Sequence, residues 1–110
     1  MRVALLPALF ALVLAMPAFA AGDVEAGKQK SLPCAACHGA DGNADVDPQY
    51  PRLAGQYADY LARALHEYRA GERKDPIMAG FASTLSDQDI EDLAAYYSRL
   101  PGHLVDLHGQ

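Results

Sequence analysis

Two long stretches of the chain repeat their apolar residues with the spacing of an α-helix. From about residue 56 to residue 70, the apolar positions that share one helical face are Tyr57, Tyr60, Leu61, Ala64, Leu65 and Tyr68. From about residue 87 to residue 100, they are Ile90, Leu93, Ala94 and Tyr97. Each pattern predicts an amphipathic helix that buries one face.

Residues suited to helix ends bound these stretches and predict a third, shorter helix. Asp23 is a favourable N-cap for a helix over about residues 23–30. Ser86, with Asp89 three positions later, forms a capping-box pattern at the start of the last helix. Gly71 predicts the end of the middle helix. No segment predicts a strand, so the expected fold class is all-α.

Two segments between these helices have no periodic pattern and are predicted to be long loops. They cover residues 39–55 and 71–85. Loops of this length are uncommon in a compact domain unless they serve a function or are disordered. Apolar residues such as Leu53, Ile77 and Phe81 argue against disorder. Three short helices leave space between them, so we expect something other than side chains to complete the core.

The first twenty residues have the pattern of a cleaved secretion signal. A single positive charge at Arg2 precedes an apolar run, and Ala18-Phe19-Ala20 matches the small-x-small pattern after which signal peptidase cuts. The run is short for a membrane span. We therefore predict a signal peptide over residues 1–20, cleavage after Ala20 and one domain over residues 21–110. A retained N-terminal anchor is the alternative.

The predicted domain is acidic. The chain has 9 Lys and Arg residues against 14 Asp and Glu residues. Arg2 leaves with the predicted signal peptide, so eight basic and fourteen acidic residues remain, a formal charge of −6. Nucleic acid and anionic membrane surfaces are therefore poor partners. We expect no stable membrane insertion of the mature chain.

The two cysteines of the chain lie together in the sequence CAACH, residues 34–38. On a helical turn, Cys34, Cys37 and His38 share one face, so two sulfurs can hold one flat ligand while the imidazole points at its centre. CxxCH is the attachment signature of c-type haem. The cysteines would form thioethers and His38 would bind the iron. A disulfide between such close neighbours would stabilise the chain little.

Two close cysteines also occur in other kinds of site. A thioredoxin-like redox pair needs a βαβ context, and a zinc site needs four ligands. A plain buried cysteine pair would leave the core gap unfilled. The run from Asp41 to Asp45 resembles the start of a calcium loop, but Val46 and Arg52 stand where that loop needs Gly and Glu. We therefore predict turn chemistry around Asp41 and Gly42.

The chain resembles the small bacterial class I cytochromes c, and one half of the two-haem members of that class. The resemblance covers nearly all of residues 22–101 through the stretches GDVEAGK, CAACHGADGN, YPRLAGQYADYL and DPIMAGFASTLSDQDIEDLAAYYSRL. It implies an all-α class I cytochrome c fold of three to five short helices around one covalently attached haem. It also implies electron transfer, not enzymatic catalysis, as the activity, and the predicted signal peptide implies a periplasmic location.

The resemblance carries over to four cofactor-binding residues. Cys34 and Cys37 would attach haem c, and His38 and Met78 would be the two axial iron ligands. Met78 is the only methionine after the predicted signal peptide. A thioether is a common sixth ligand in electron-carrying cytochromes, where it raises the potential. The weaker candidates for this position are His66, His103 and His108.

Several further residues are candidate supports for the cofactor. Arg52 would pair with a haem propionate, or else is a solvated loop arginine. Pro51 would accept a hydrogen bond from the His38 ring. Gly27 stands where the family has a glycine at the crossing of the first and last helices, with Tyr97 as its expected neighbour. The side chains expected to line the haem are Tyr57, Leu61, Phe81 and Leu85.

The sequence thus predicts a soluble monohaem electron carrier whose iron cycles between Fe(II) and Fe(III). Its expected partners are redox proteins with basic docking surfaces, and a monomer is expected. One alternative is a haem subunit of a membrane or dehydrogenase complex. The other is a five-coordinate haem enzyme or sensor, which requires that Met78 does not bind iron.

Overall fold

Five helices make up the regular structure of the residues that the structure describes. The computed structural model describes Met1, residues 21–45 and residues 47–104. The helices are α1 (Val24–Lys30), α2 (Leu32–His38), α3 (Ala58–Ala70), α4 (Pro76–Ala82) and α5 (Asp87–Arg99). Within these described ranges no residue forms a strand, so the prediction of an all-α fold is confirmed. The predicted signal peptide, apart from Met1, lies outside the described residues.

The three helices predicted from the sequence correspond to α1, α3 and α5, and their caps have the expected form. The Asp23 side chain accepts a hydrogen bond from the Ala26 N–H at 2.9 Å. Ser86 and Asp89 form both hydrogen bonds of a capping box. Gly71 ends α3 in the left-handed conformation, with φ of 75°. Local sequence signals therefore place the three predicted helices correctly.

The prediction of an unbroken loop over residues 71–85 was wrong. This segment contains α4, which begins at Pro76 and is capped by Asp75. A helix of seven residues is too short to show a repeating apolar pattern, because it makes less than two full turns. Asp followed by Pro is nevertheless a favourable helix start, since Asp caps and proline suits the first helical position.

Helix α5 is the centre of the hydrophobic core and packs against α1 and α3. The predicted apolar face of α5 is buried throughout, and Ile90 is fully inaccessible to solvent. Helix α3 contributes Leu61 and Ala62 to the same cluster. Among the described residues, no helix is long and apolar enough to span a membrane.

Gly27 allows α1 and α5 to cross at close range. A Cβ atom at this position would lie 2.0 Å from the carbonyl oxygen of Asp92 and 2.7 Å from the Cβ of Tyr96. The expected role of the glycine is therefore present, but the neighbour is Tyr96 instead of Tyr97. Tyr97 is the next residue along α5 and points elsewhere, since its ring packs beside Gly42.

A buried carboxylate also joins α1 to α5. The Asp92 side chain accepts hydrogen bonds from the Asp23 N–H at 2.8 Å, the Gln88 amide at 2.9 Å and the Lys30 ammonium at 2.5 Å. The Lys30 ammonium also lies 2.7 Å from Asp89. Burial alone would raise the pKa of Asp92, but these donors outweigh it and lower the pKa below its usual value.

The loop over residues 39–55 is held at several points. The Ala44 N–H donates to the His38 carbonyl at 2.8 Å, and the Gly55 N–H donates to the Tyr97 carbonyl at 3.0 Å. Asp41 accepts a hydrogen bond from the Asn43 N–H at 3.0 Å, which is the predicted turn chemistry. These contacts hold the loop against α2 and α5, next to His38.

Candidate functional site

A cavity of about 480 Å³ lies among α2, α3, α4, α5 and the loop over residues 39–55. This volume is in the usual range for a cofactor site. The predicted site residues that line it are Cys34, Cys37, His38, Arg52, Leu61, Met78, Phe81 and Leu85. Tyr57 is the N-cap residue of α3 and does not line this cavity. The residue is 60% exposed. Its contact with a cofactor therefore stays a prediction.

His38 ends α2 with its imidazole ring buried against the loop. Only 5% of the residue is exposed. Nδ1 lies 2.9 Å from the Pro51 carbonyl oxygen, so the Nδ1–H donates to that oxygen, as the sequence predicted. The hydrogen bond fixes the orientation of the ring and leaves Nε2 as the nitrogen that can bind a metal ion.

Cys34 and Cys37 lie one helical turn apart in α2 and border the same cavity as His38. Both are half-buried free thiols. Burial raises the pKa of the Cys34 thiol, which keeps it protonated at neutral pH. A hydrogen bond with Cys37 raises the pKa of Tyr50. No sequence pattern predicted the contacts of these thiols with Tyr50 and Tyr97, because the residues lie far apart along the chain.

Met78 reaches the cavity from a different helix. It lies in the first turn of α4 and is half-buried. Among the described helices, the backbone of α2 approaches only that of α1, and the backbone of α4 approaches only that of α3. The helix that carries His38 and the helix that carries Met78 therefore do not touch each other. The cavity lies between them and is lined by both.

One group of lining residues was not predicted as part of the site. The Arg73 guanidinium lies 5.9 Å from the centre of the Tyr60 ring and 5.3 Å from that of Tyr68. Arg73 also donates to the Tyr60 hydroxyl at 3.3 Å. Both tyrosines were placed on the apolar face of the middle helix. Arg73 comes two residues after Gly71, which ends this helix. The sequence around Arg73 did not predict that its side chain would lie over the two tyrosine rings.

Of the histidine alternatives to Met78, the two within the described residues, His66 and His103, do not line the cavity. His66 lies beside Arg69, with 3.1 Å between His66 Nδ1 and the guanidinium, and its Nδ1 is 4.0 Å from Asp87. This group borders a separate surface groove on α3. His103 is exposed in the C-terminal segment. His108 lies outside the described residues.

The residues around the cavity fit a haem attached through CxxCH. Two thiols and an oriented imidazole stand on one side, and a thioether stands on another. The thioredoxin-like alternative lacks its βαβ context, since the part of the chain that the structure describes is helical. In that same part, no group of three or more His, Cys, Asp or Glu side chains is arranged to hold a metal ion.

Comparison with known proteins places the chain in a family. The family model described as "Cytochrome c" matches residues 24–100. Cytochrome c4 of Pseudomonas aeruginosa is 48% identical over 81 residues, which cover 74% of this chain and 40% of that protein. Cytochrome c-554(548) of Halomonas halodenitrificans is 49% identical over 81 residues, which cover 71% of this chain and 96% of that protein.

A solved structure shows the same fold. The crystal structure of reduced recombinant cytochrome c4 from Pseudomonas stutzeri matches with a TM-score of 0.71 at 45% sequence identity, over 76% of this chain and 48% of that one. The chain thus spans less than half the length of these two cytochrome c4 proteins. The helical cavity, its CxxCH sequence and these matches together show that the chain belongs to the cytochrome c family and has its class I all-α fold.

Proposed function

We propose that the chain is a periplasmic monohaem electron carrier in which His38 and Met78 are the axial iron ligands. The observation that carries this proposal is that both side chains line one cavity from helices that do not touch each other. Cys34 and Cys37, in the same helix as His38, are the proposed covalent attachment points. A single CxxCH sequence supports one haem per chain.

The chain's own residues hold and shield the site. Pro51 keeps the His38 ring in one orientation through the Nδ1–H bond, and the apolar lining around Leu61 and Leu93 excludes water. When bound, haem supplies the Fe(II)/Fe(III) couple. If His38 and Met78 both bound the iron, no coordination position would remain open for oxygen or peroxide. This favours electron transfer over a haem enzyme or sensor.

The proposed partner is a redox protein with a basic docking surface, and the carrier is proposed to be a monomer. The domain has a formal charge of −6 after the proposed cleavage. Beside the cavity, Ile77 is 59% exposed and Phe81 is 44% exposed. These side chains would form the centre of a small docking surface, which suits a carrier that must dissociate after each transfer. Glu72, an exposed acidic residue in the segment before α4, is proposed to flank this surface.

The test is a comparison of the Met78→Ala holoprotein with the unsubstituted holoprotein. The oxidised unsubstituted protein is expected to show the Met–Fe(III) charge-transfer absorption band. Met78→Ala should abolish the band, lower the reduction potential and open the iron to small ligands, because it removes the proposed thioether ligand. His66→Ala is the matched control and should change none of these.

Two outcomes would contradict the proposal. A spectrum that Met78→Ala leaves unchanged would assign the ligand to another residue. An unsubstituted protein without the band, with iron that binds ligands freely, would favour the five-coordinate enzyme or sensor. A haem subunit of a larger complex would instead purify with a partner in fixed proportion.

A further inference from the structure

Helix α4 begins at one residue that satisfies every N–H group of its first turn. The Asp75 carboxylate accepts hydrogen bonds from the N–H groups of Ile77 and Met78, each at 3.0 Å. The Asp75 carbonyl accepts a further hydrogen bond from the Ala79 N–H at 2.9 Å. Pro76, the first helical residue, has no N–H. The backbone N–H of Met78 is therefore hydrogen-bonded directly to the Asp75 side chain.

Few other interactions hold this helix in place. It has seven residues, and isolated helices of that length are unstable in water. Gly80, near its middle, lowers its helix propensity further. Ala82 is its buried residue, and α4 packs only against α3 among the described helices. The Asp75 cap is thus a large part of what keeps the first turn of α4 formed.

We propose that Asp75 is a positioning residue for the Met78 sulfur, through the cap that it forms on the turn that carries Met78. This inference rests on the proposed His38 and Met78 ligation. Loss of the cap lets the first turn of α4 open more often, and each opening withdraws the sulfur from the iron. Asp75 thereby sets how readily an external ligand can replace Met78.

The test uses imidazole as the competing ligand and the oxidised holoprotein. Asp75→Ala should raise the apparent affinity for imidazole about fivefold, which is about 1 kcal/mol at about 1.4 kcal/mol per tenfold change. It should also weaken the Met–Fe(III) band. Asp75→Ser removes the same negative charge but keeps a capping oxygen. Its imidazole affinity should stay within about twofold of the original, because serine caps nearly as well as aspartate.

Asp23→Ala is the matched control. Asp23 also caps a seven-residue helix, accepting from the Ala26 N–H, but α1 carries no proposed ligand. This variant should lower the melting temperature while the imidazole affinity stays unchanged. Asp75 has no positioning role if Asp75→Ala binds imidazole like the original protein, or if Asp23→Ala gives the same increase.

The experiment separates failure of this inference from failure of the proposed function. If the original protein shows the Met–Fe(III) band and Asp75→Ala changes neither band nor imidazole affinity, only the role of Asp75 is overturned. If the original protein lacks the band, Met78 is not a ligand and both proposals fail.

Discussion

Gly27 is the residue on which the close approach of α1 and α5 depends. A Cβ here would lie 2.0 Å from the Asp92 carbonyl oxygen, which is backbone and cannot move aside cheaply. We expect Gly27→Ala to lower the free energy of unfolding by about 1–3 kcal/mol, because the helices must move apart. Urea unfolding of the holoprotein, followed by circular dichroism, measures this.

Gly80→Ala is the control for that substitution. Gly80 also lies in a seven-residue helix, but a Cβ there would meet nothing within 4 Å. We expect it to stabilise the protein by about 0.5–1 kcal/mol through better helix propensity. If both substitutions change the free energy of unfolding equally, the close crossing of α1 and α5 does not depend on the absence of a Cβ atom at Gly27.

At this scale, the sequence predicts residues whose chemistry is local or belongs to a motif. The Pro51 contact of His38 and the caps at Asp23 and Ser86 are present in the structure. The neighbour of Gly27 was misassigned by one position along α5, because a helical pattern defines a face but not which side chain meets a particular atom. Arg73 could not be predicted, because its partners lie across the turn that follows α3.

Between elements, the buried Asp92 carboxylate is the main polar link from α5 to α1. Its folded-state pKa is lowered, so the folded protein binds this proton less readily than the unfolded chain does. Its contribution to stability is complete above the ordinary pKa of about 3.9 and is lost as the pH falls through the folded-state value. The link therefore weakens in acid.

We expect Asp92→Asn to destabilise the holoprotein at neutral pH by about 2 kcal/mol, because charge-assisted hydrogen bonds are lost. Below about pH 5, its stability should fall less steeply with acid than that of the original protein. Urea unfolding from pH 3 to pH 7 tests this. Asp45→Asn, at an exposed position, is the control for charge removal and should change little. If the free energy of unfolding depends on pH in the same way for Asp92→Asn and the original protein, the proposed contribution of the Asp92 carboxylate is wrong.

Helix α4 shows why elements are harder to predict than caps. Its start was visible as Asp75 followed by Pro76, but its seven residues give no repeating apolar face. The helix also packs against little besides α3 among the described elements. A periodic apolar pattern indicates a helix that buries one face in the protein core. Helix α4 has no such face, and its Met78 lines the cavity instead.

For the whole molecule, the proposed way of meeting a partner depends on the charge of the domain. The formal charge of −6 should draw it to a basic redox partner over long range. Two of the acidic residues already have partners within the chain, because Asp75 caps α4 and Asp87 pairs with Arg69. Haem propionates would add further negative charge.

We expect the electron-transfer rate constant with a basic partner to fall as salt increases. The Debye length shrinks from about 30 Å at 0.01 M to about 10 Å at 0.1 M, which screens the attraction before contact. Stopped-flow kinetics across a salt series measures the effect, and an uncharged small-molecule oxidant is the control. A rate that is flat or rises with salt would mean that the apolar surface alone governs docking.

The most direct test of the central claim is the intact mass of the protein expressed with its own N-terminal segment in a bacterium that attaches haem c. The expected mass is that of residues 21–110 plus one haem, and the haem should survive acid extraction if Cys34 and Cys37 hold it covalently. A mass equal to the polypeptide alone would contradict the account. A mass two hydrogens below that of the polypeptide alone would also contradict it, since the two cysteines would then form a disulfide.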